Sequence, residues 1–541
     1  MKLDDSGQHA GGAVEHACAD LPAQLVALLG GAHVLTDAAN RRFHAQDVHG
    51  SGVPPLAVVR PGSVDELAAA VRLVTAAGAA VVARGGGMSY TDGYLPIREN
   101  TVTFDTTRLN RIVEINPRDH YVTVECGVTW KELAEALAPH ALRTPYWGPL
   151  SGLRATVGGA LSQGSIFLGS GLHGPVQERL LALEVVLADG SLLKTGGAAL
   201  THGVPFFRHF GPDLSSLFTG DCGAFGIKAR ATLRLIPAPA ESRYLSFSLA
   251  DAEAVVGLMT DVAREGLASE CMAFDPGLQA VRMRRVSLAE DAKALGQVVR
   301  SAGGVLAGLK EGAKVVLAGR NFLDAGGFSV HLGVDGRDAA DAESRCARIR
   351  ALADGRAREV ENTIPKVMRA NPFMELNSML GPGGERWVPV HCVVPLSRGA
   401  AMFAACEAVF ARHATELERL GIDHGCLSCT IGGNGVLVEP CIYWPDARQA
   451  FHETVLDPTY LAKLPVFAEN LPARQLVAQL RGELADLFAA SGAASFQIGK
   501  LYRYRASLDA GTLAMLDALK RQLDPRGLMN PGVLGFAAPT V

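Results

Sequence analysis

Apolar and polar positions alternate in a recognisable order from residue 54 onward. Leu56-Ala57-Val58-Val59 is a short apolar run, and Pro61-Gly62-Ser63 supplies a turn and a helix cap. Residues 64–77 carry a helical pattern, with Asp65 and Glu66 in the first turn, where the helix dipole favours acids. Ala79-Ala80-Val81-Val82-Ala83 then reads as a buried strand. The spacing predicts a βαβ-like unit that runs straight into Arg84-Gly85-Gly86-Gly87-Met88-Ser89-Tyr90.

From residue 101 to 127 the pattern changes to strands and turns. Val102-Thr103-Phe104-Asp105, Ile112-Val113-Glu114-Ile115 and Tyr121-Val122-Thr123-Val124-Glu125 read as strands, the last two joined by the turn Asn116-Pro117-Arg118-Asp119. Residues 130–137 predict a helix, Val157-Gly158-Gly159-Ala160 opens another, and residues 184–190 are a strand entering a turn. This region closes near Pro237. Between about residues 242 and 490 strands alternate with long helices, residues 400–420 for example, as in an α+β lobe. Residues 509–522 form an amphipathic helix. Asp524-Pro525-Arg526-Gly527-Leu528-Met529-Asn530-Pro531-Gly532 follows as a sharply turning tail.

Length and composition narrow the function. At 541 residues and 48% hydrophobic, the chain is expected to build two or three packed lobes, large enough to enclose a ligand. Lys+Arg number 51 against 55 Asp+Glu, a net charge of −4, with no long basic or acidic run. That balance points away from nucleic acid and membrane surfaces and toward a small-molecule partner. Residues 1–20 hold acids and histidines without a signal-like apolar core, and no stretch reaches a membrane span, so a cytoplasmic protein is expected.

The ten cysteines are scattered and read as reduced. Cys426-Leu-Ser-Cys429 has the spacing of a redox dithiol or half a zinc site. No second such pair exists, and the flanking Thr430 and Ile431 continue a strand, so packed thiols and no metal are expected.

Consecutive glycines after a buried strand let backbone N–H groups approach an anion unobstructed, which makes residues 84–90 a candidate pyrophosphate cradle. The bland alternative is an ordinary glycine turn, and the G-x-G-x-x-G spacing of a Rossmann loop is absent. Three further segments follow in order: Ala155-Thr156-Val157-Gly158-Gly159-Ala160, residues 218–227 around Gly220 and Gly223, and Asn530-Pro531-Gly532. On these residues the chain resembles the FAD-binding family of vanillyl-alcohol oxidase and 4-cresol dehydrogenase, the PCMH type, with D-lactate dehydrogenase and glycolate oxidase flavoproteins as further relations.

The resemblance implies FAD as cofactor, with Gly85, Gly86, Gly87, Met88, Ser89, Gly158, Gly159, Gly223, Ile227 and Asn530 in contact with it. Some relatives tether the flavin through a histidine of the first loop, where Met88 stands here. Another branch uses a histidine of the second domain just after a Trp-x-Pro segment. Arg386-Trp387-Val388-Pro389-Val390-His391 matches with a short gap. His391 is thus a candidate for an 8α-histidyl bond, the alternative being a core or pocket histidine.

The phenol-oxidising branch holds its donor with tyrosines and an arginine and keeps an aspartate near the flavin. Tyr90 falls at the first tyrosine, Leu150 at the aspartate, and Phe496 and Gln497 at the Tyr-Arg pair. Lys500, Tyr502, Arg503, Tyr504 and Arg505 offer three cations and two phenols for an anionic donor, or else a solvated basic edge. Tyr90, Tyr502, Arg503 and Tyr504 are the candidate catalytic residues. Tyr146-Trp147, Tyr443-Trp444 and His424 read as core rather than pocket. In the D-2-hydroxy-acid branch histidines of the second domain bind metal, and residues 238–491 hold no clean His-x6-His pattern.

The expectation is therefore an α+β, two-domain PCMH-type flavoprotein. Residues 21–237 form the FAD-binding domain, 238–491 the cap over the substrate, and 492–541 a segment completing the first domain. Its reaction would pass a hydride from a 4-substituted phenol or aryl alcohol to flavin N5, with reoxidation by oxygen, a quinone or a cytochrome. The alternatives are a D-2-hydroxy-acid dehydrogenase and a non-catalytic flavin-binding protein. A homodimer is implied by the resemblance alone.

Overall fold

Ser63 accepts the Glu66 N–H at 3.1 Å and so starts the helix Val64–Ala76, which buries Leu67, Val71 and Val74. This is the helix of the expected βαβ-like unit. Its two strands, Ala57–Val59 and Ala80–Arg84, do not pair with each other, because Thr101–Asp105 inserts between them and runs parallel to both. The chain after the glycine loop thus returns into its own sheet, whose other edge is Val34–Leu35. The structure, a computed structural model, describes residues 20–283 and 327–537. The N-terminal stretch read above, Cys18 included, lies outside the described residues.

A second sheet has the strand order Ile112–Asn116, Tyr121–Glu125, Ile227–Arg234, Leu180–Val186 and Leu192–Lys194, all antiparallel. The predicted hairpin is its first pair. Thr129 and Glu132 make a reciprocal capping box that starts the helix Trp130–Leu137 against this sheet's core.

Among the described residues, eight antiparallel strands between Glu241 and Trp444 form the third sheet. Its hydrophobic alternation has period two, and the two faces have different uses. On the strand Gly435–Trp444, Val436, Val438, Ile442 and Trp444 join the core covered by the helices Ala252–Arg264, Gly399–Arg412 and Leu471–Ala490. Leu437, Glu439 and Cys441 face a cavity on the other side. The helix expected over residues 400–420 is two, Gly399–Arg412 and Ala414–Leu420, parted at His413, whose Nε2 lies 2.9 Å from Glu483.

The C-terminal helix is Ala510–Leu523, capped by Asp509. The turning tail then docks on the first sheet: Val81 donates to the Leu528 carbonyl at 2.9 Å, and Asn530 donates to the Val81 carbonyl at 2.8 Å. Val533 and Phe536 pack into the core of the five-stranded sheet. Among the described residues, no helix is long and apolar enough to cross a membrane.

Candidate active site

One cavity of about 820 Å³ joins the glycine loops to the open face of the eight-stranded sheet. At the first end it is walled by Gly85, Gly86, Gly87, Met88 and Ser89, by Gly158 and Gly159, and by Gly223 and Ile227. Nine of the residues expected to touch the cofactor thus meet at one wall, although they come from three separate segments. Gly87 has φ +73° and Gly223 φ +76°, conformations that side chains rarely adopt. A Cβ at Gly86 would run into the Arg154 carbonyl, whereas one at Gly223 would meet only the Gly226 carbonyl, at 4.0 Å. These bare-backbone loops fit an extended dinucleotide.

Asn530 stands apart from the other nine. It does not line the cavity; it is buried behind it and donates to the carbonyls of Gly93 at 2.7 Å and Cys222 at 2.6 Å. Its amide pins two cavity loops to the tail, which a short polar side chain in a φ +43° turn can reach.

At the other end the walls are apolar, with Phe274, Leu278, Met368, Met379, Leu427 and Leu437. Tyr90 lines this region and lies edge-on to Trp387, its ring centroid 5.8 Å away. Gln497 donates to the Tyr90 hydroxyl at 3.0 Å, and Arg481 fixes the Tyr90 carbonyl at 2.7 Å. Burial holds the Tyr90 phenol well above its ordinary pKa. Leu150 and Phe496 also line the cavity.

The remaining sequence candidates stand elsewhere. Tyr502 is buried behind the wall, where its hydroxyl accepts the His391 N–H at 2.7 Å and lies 3.1 Å from His391 Nδ1. Arg503 is exposed and paired with Asp486 at 2.7 Å, and Tyr504 packs half-buried against the core of the five-stranded sheet. Lys500 is spent on the carbonyls of Asp92 and Leu95 and on Asn530 Oδ1, and Arg505 on Asp517. No anion site results, because local partners absorb each charge, and Arg503 with its partner Asp486 remains at the solvent edge. His391 does not line the cavity either; it stacks on Phe496 with centroids 3.9 Å apart, and burial depresses its pKa to about 3. Its Nε2 has no partner among the described residues.

Sequence reasoning missed the chemistry of the sheet face. Glu439 opens onto the cavity between Leu437 and Cys441, and burial pushes its carboxyl up to about 8, opposed by the Arg282 charge. Arg282, Gln279 and Leu278 reach the same cavity from the helix Pro276–Met283. The legible signal was a lone acid at every-second-residue spacing inside an apolar strand. Lys228, also at the cavity, is neutralised by Asp221 at 2.6 Å. Cys426 and Cys429 are buried free thiols of the strand Asp423–Ile431, and Tyr146, Tyr443 and Trp444 are core, as read. His424 stacks on Phe410, with centroids 4.0 Å apart.

Residues 55–196 match the family model described as FAD binding domain, and residues 498–534 match FAD linked oxidases, C-terminal domain. The glycolate oxidase subunit GlcD of Escherichia coli (strain K12) is 30% identical over 215 residues, 39% of this chain and 41% of that protein. The probable mitochondrial D-lactate dehydrogenase of Danio rerio is 33% identical over 187 residues, 34% of this chain and 36% of that protein. The chain thus spans less than half the length of these two curated relatives. Its fold is similar to p-cresol methylhydroxylase with substrate bound (TM-score 0.72, 17% identity, covering 96% of this chain and 97% of that one). It is also similar to alkyldihydroxyacetonephosphate synthase (TM-score 0.67, 14% identity, covering 95% and 84%). Residues 55–196 and 498–534 thus carry the likeness to FAD-linked oxidases, one region as an FAD binding domain and the other as their C-terminal domain.

Proposed function

We propose that this protein is an FAD-dependent dehydrogenase of a small, largely apolar donor bearing a hydroxyl group, a 4-substituted phenol or an aryl alcohol. The observation that carries the reading is the single cavity that joins the glycine loops to Glu439 and Tyr90. Residues 21–237 and 492–541 would form the FAD half, and residues 238–491 the cap.

When bound, FAD supplies the hydride acceptor. The chain's own task is to seat the donor, exclude water and move one proton. The apolar wall of Phe274, Met368, Leu427 and Leu437 seats a ring or alkyl body. The Glu439 carboxylate, raised toward neutrality by burial, is suited to take the donor hydroxyl proton as the C–H bond breaks. Tyr90, oriented by Gln497, offers a hydroxyl to the same donor oxygen. FAD is held without a covalent bond, since Phe496 rather than His391 faces the cavity and the first loop carries Met88.

A second reading, a D-2-hydroxy-acid donor, is favoured by one observation: the Arg282 side chain faces the cavity and could seat a carboxylate. The names of the curated relatives accord with it. Anaerobic mixing of the flavin-loaded protein with aryl alcohols, 4-alkylphenols and 2-hydroxy acids separates the readings by which class bleaches the flavin. Bleaching by none would leave a non-catalytic flavin protein. The electron acceptor is oxygen, a quinone or a cytochrome; a cytoplasmic location and a homodimer complete the proposal.

A further inference from the structure

Two arginines stand behind the glycine loop without counter-ions among the described residues. Arg84 ends the strand Ala80–Arg84 and is only 3% exposed. Its guanidinium lies beneath Gly87, where any Cβ would strike it, and over the rings of Phe43 at 4.6 Å and Tyr94 at 5.5 Å. Arg84 Nε and Nη2 are buried and have no hydrogen-bond partner among the described residues. Arg154 presents its carbonyl to Gly86 from the opposite loop, and its own Nε is likewise buried and unpartnered.

Asp105, whose charge reaches Arg154, offers little relief. Asp105 is engaged by Arg60 at 3.3 Å and by His44 at 3.7 Å. Among the described residues neither Arg84 nor Arg154 has a carboxylate within ion-pair distance, while each repels the other. A guanidinium buried without a counter-charge is costly, and keeping two of them at one loop needs a compensating anion. Neither side chain lines the cavity. Their field reaches it across glycine backbone, where the missing Cβ atoms keep the separation short and the dielectric low.

We propose that Arg84 and Arg154 are the built-in counter-charges of the FAD diphosphate, acting from behind the glycine loop. The assignment rests on FAD being the cofactor. The glycines admit the diphosphate closely, and the two guanidinium groups supply the positive charge that backbone N–H groups alone lack. Phe43 and Tyr94 hold the Arg84 head in place before the cofactor arrives.

The test is titration of the apoprotein with FAD and with riboflavin, which has no phosphate, followed by flavin fluorescence. Arg84→Met and Arg154→Met should each weaken FAD roughly 10- to 100-fold and leave riboflavin affinity unchanged, as expected for loss of one charge at close range. Arg84→Lys should recover most of the FAD affinity. Inorganic pyrophosphate should raise the melting temperature of the wild-type apoprotein more than that of either Met variant. Equal losses for FAD and riboflavin, or no loss for FAD, overturn the assignment. If Arg84→Met does not fold, Arg154→Met carries the same test, since that residue is less buried. A wild-type protein that takes up no FAD would instead overturn the cofactor itself.

Discussion

The imidazole of His391 lies flat against the ring of Phe496, with centroids 3.9 Å apart and planes 11° from parallel, and Phe496 is the one of the two that lines the cavity. A histidine in that second layer cannot reach a flavin without displacing its neighbour. Precipitating the flavin-loaded protein with acid should therefore release the yellow colour to the supernatant. Colour retained in the pellet would mean that Phe496 swings aside and that His391 forms the tether.

Glu439 is expected to set the pH dependence of flavin reduction. Its proton-accepting form is the carboxylate, and the carboxyl is raised to about 8. Reduction by the donor should accelerate as pH rises through about 8, and Glu439→Gln should slow it about 100- to 10,000-fold, the range of general base catalysis. Rapid-mixing absorbance across pH 6–10 checks both points, with ~1 unit steps sufficient to resolve the inflection. An unchanged profile in the variant would remove Glu439 from the proton transfer.

The same carboxyl affects stability with a definite sign. In the unfolded chain it ionises in the ordinary acidic range, whereas in the fold it keeps its proton until about 8. Wild-type stability is thus undiminished below the ordinary range, falls as pH rises toward 8 and levels off above it. The Glu439→Gln apoprotein lacks this decline and should gain on wild type in denaturant midpoint as pH increases. Parallel stability curves for the two proteins would show that cavity water solvates the carboxylate.

Asn530 should behave as a structural tie. Asn530→Ala leaves the buried carbonyls of Gly93 and Cys222 without their donor, a cost of about 1–3 kcal/mol for each unpaired group. Urea unfolding of the apoprotein should show that loss, and flavin affinity should fall with it because Gly93 and Cys222 line the cavity. A flavin contact without structural consequence would instead leave apoprotein stability unchanged.

Much of the cofactor end was legible because its signals are local. Strand, glycine run and helix cap follow one another within residues 54–90, so the backbone conformation is written where it is used. The insertion of Thr101–Asp105 between Ala57–Val59 and Ala80–Arg84 was not legible, since strand order depends on partners distant in sequence. The donor end depends still more on tertiary contacts. Tyr502, Arg503 and Tyr504 attracted notice as clustered charge and phenol, yet each is satisfied by a neighbour that the linear pattern does not reveal. Glu439 passed unnoticed because a single acid in a strand acquires meaning only when one sheet face is known to be open.

The most direct test of the whole account is a crystal structure of the protein with FAD bound. The account predicts the diphosphate against Gly85, Gly86 and Gly87, and the isoalloxazine ring in the region of Tyr90 and Glu439 with no bond to His391. A flavin ring placed away from Glu439, or a dinucleotide bound outside this cavity, would contradict it.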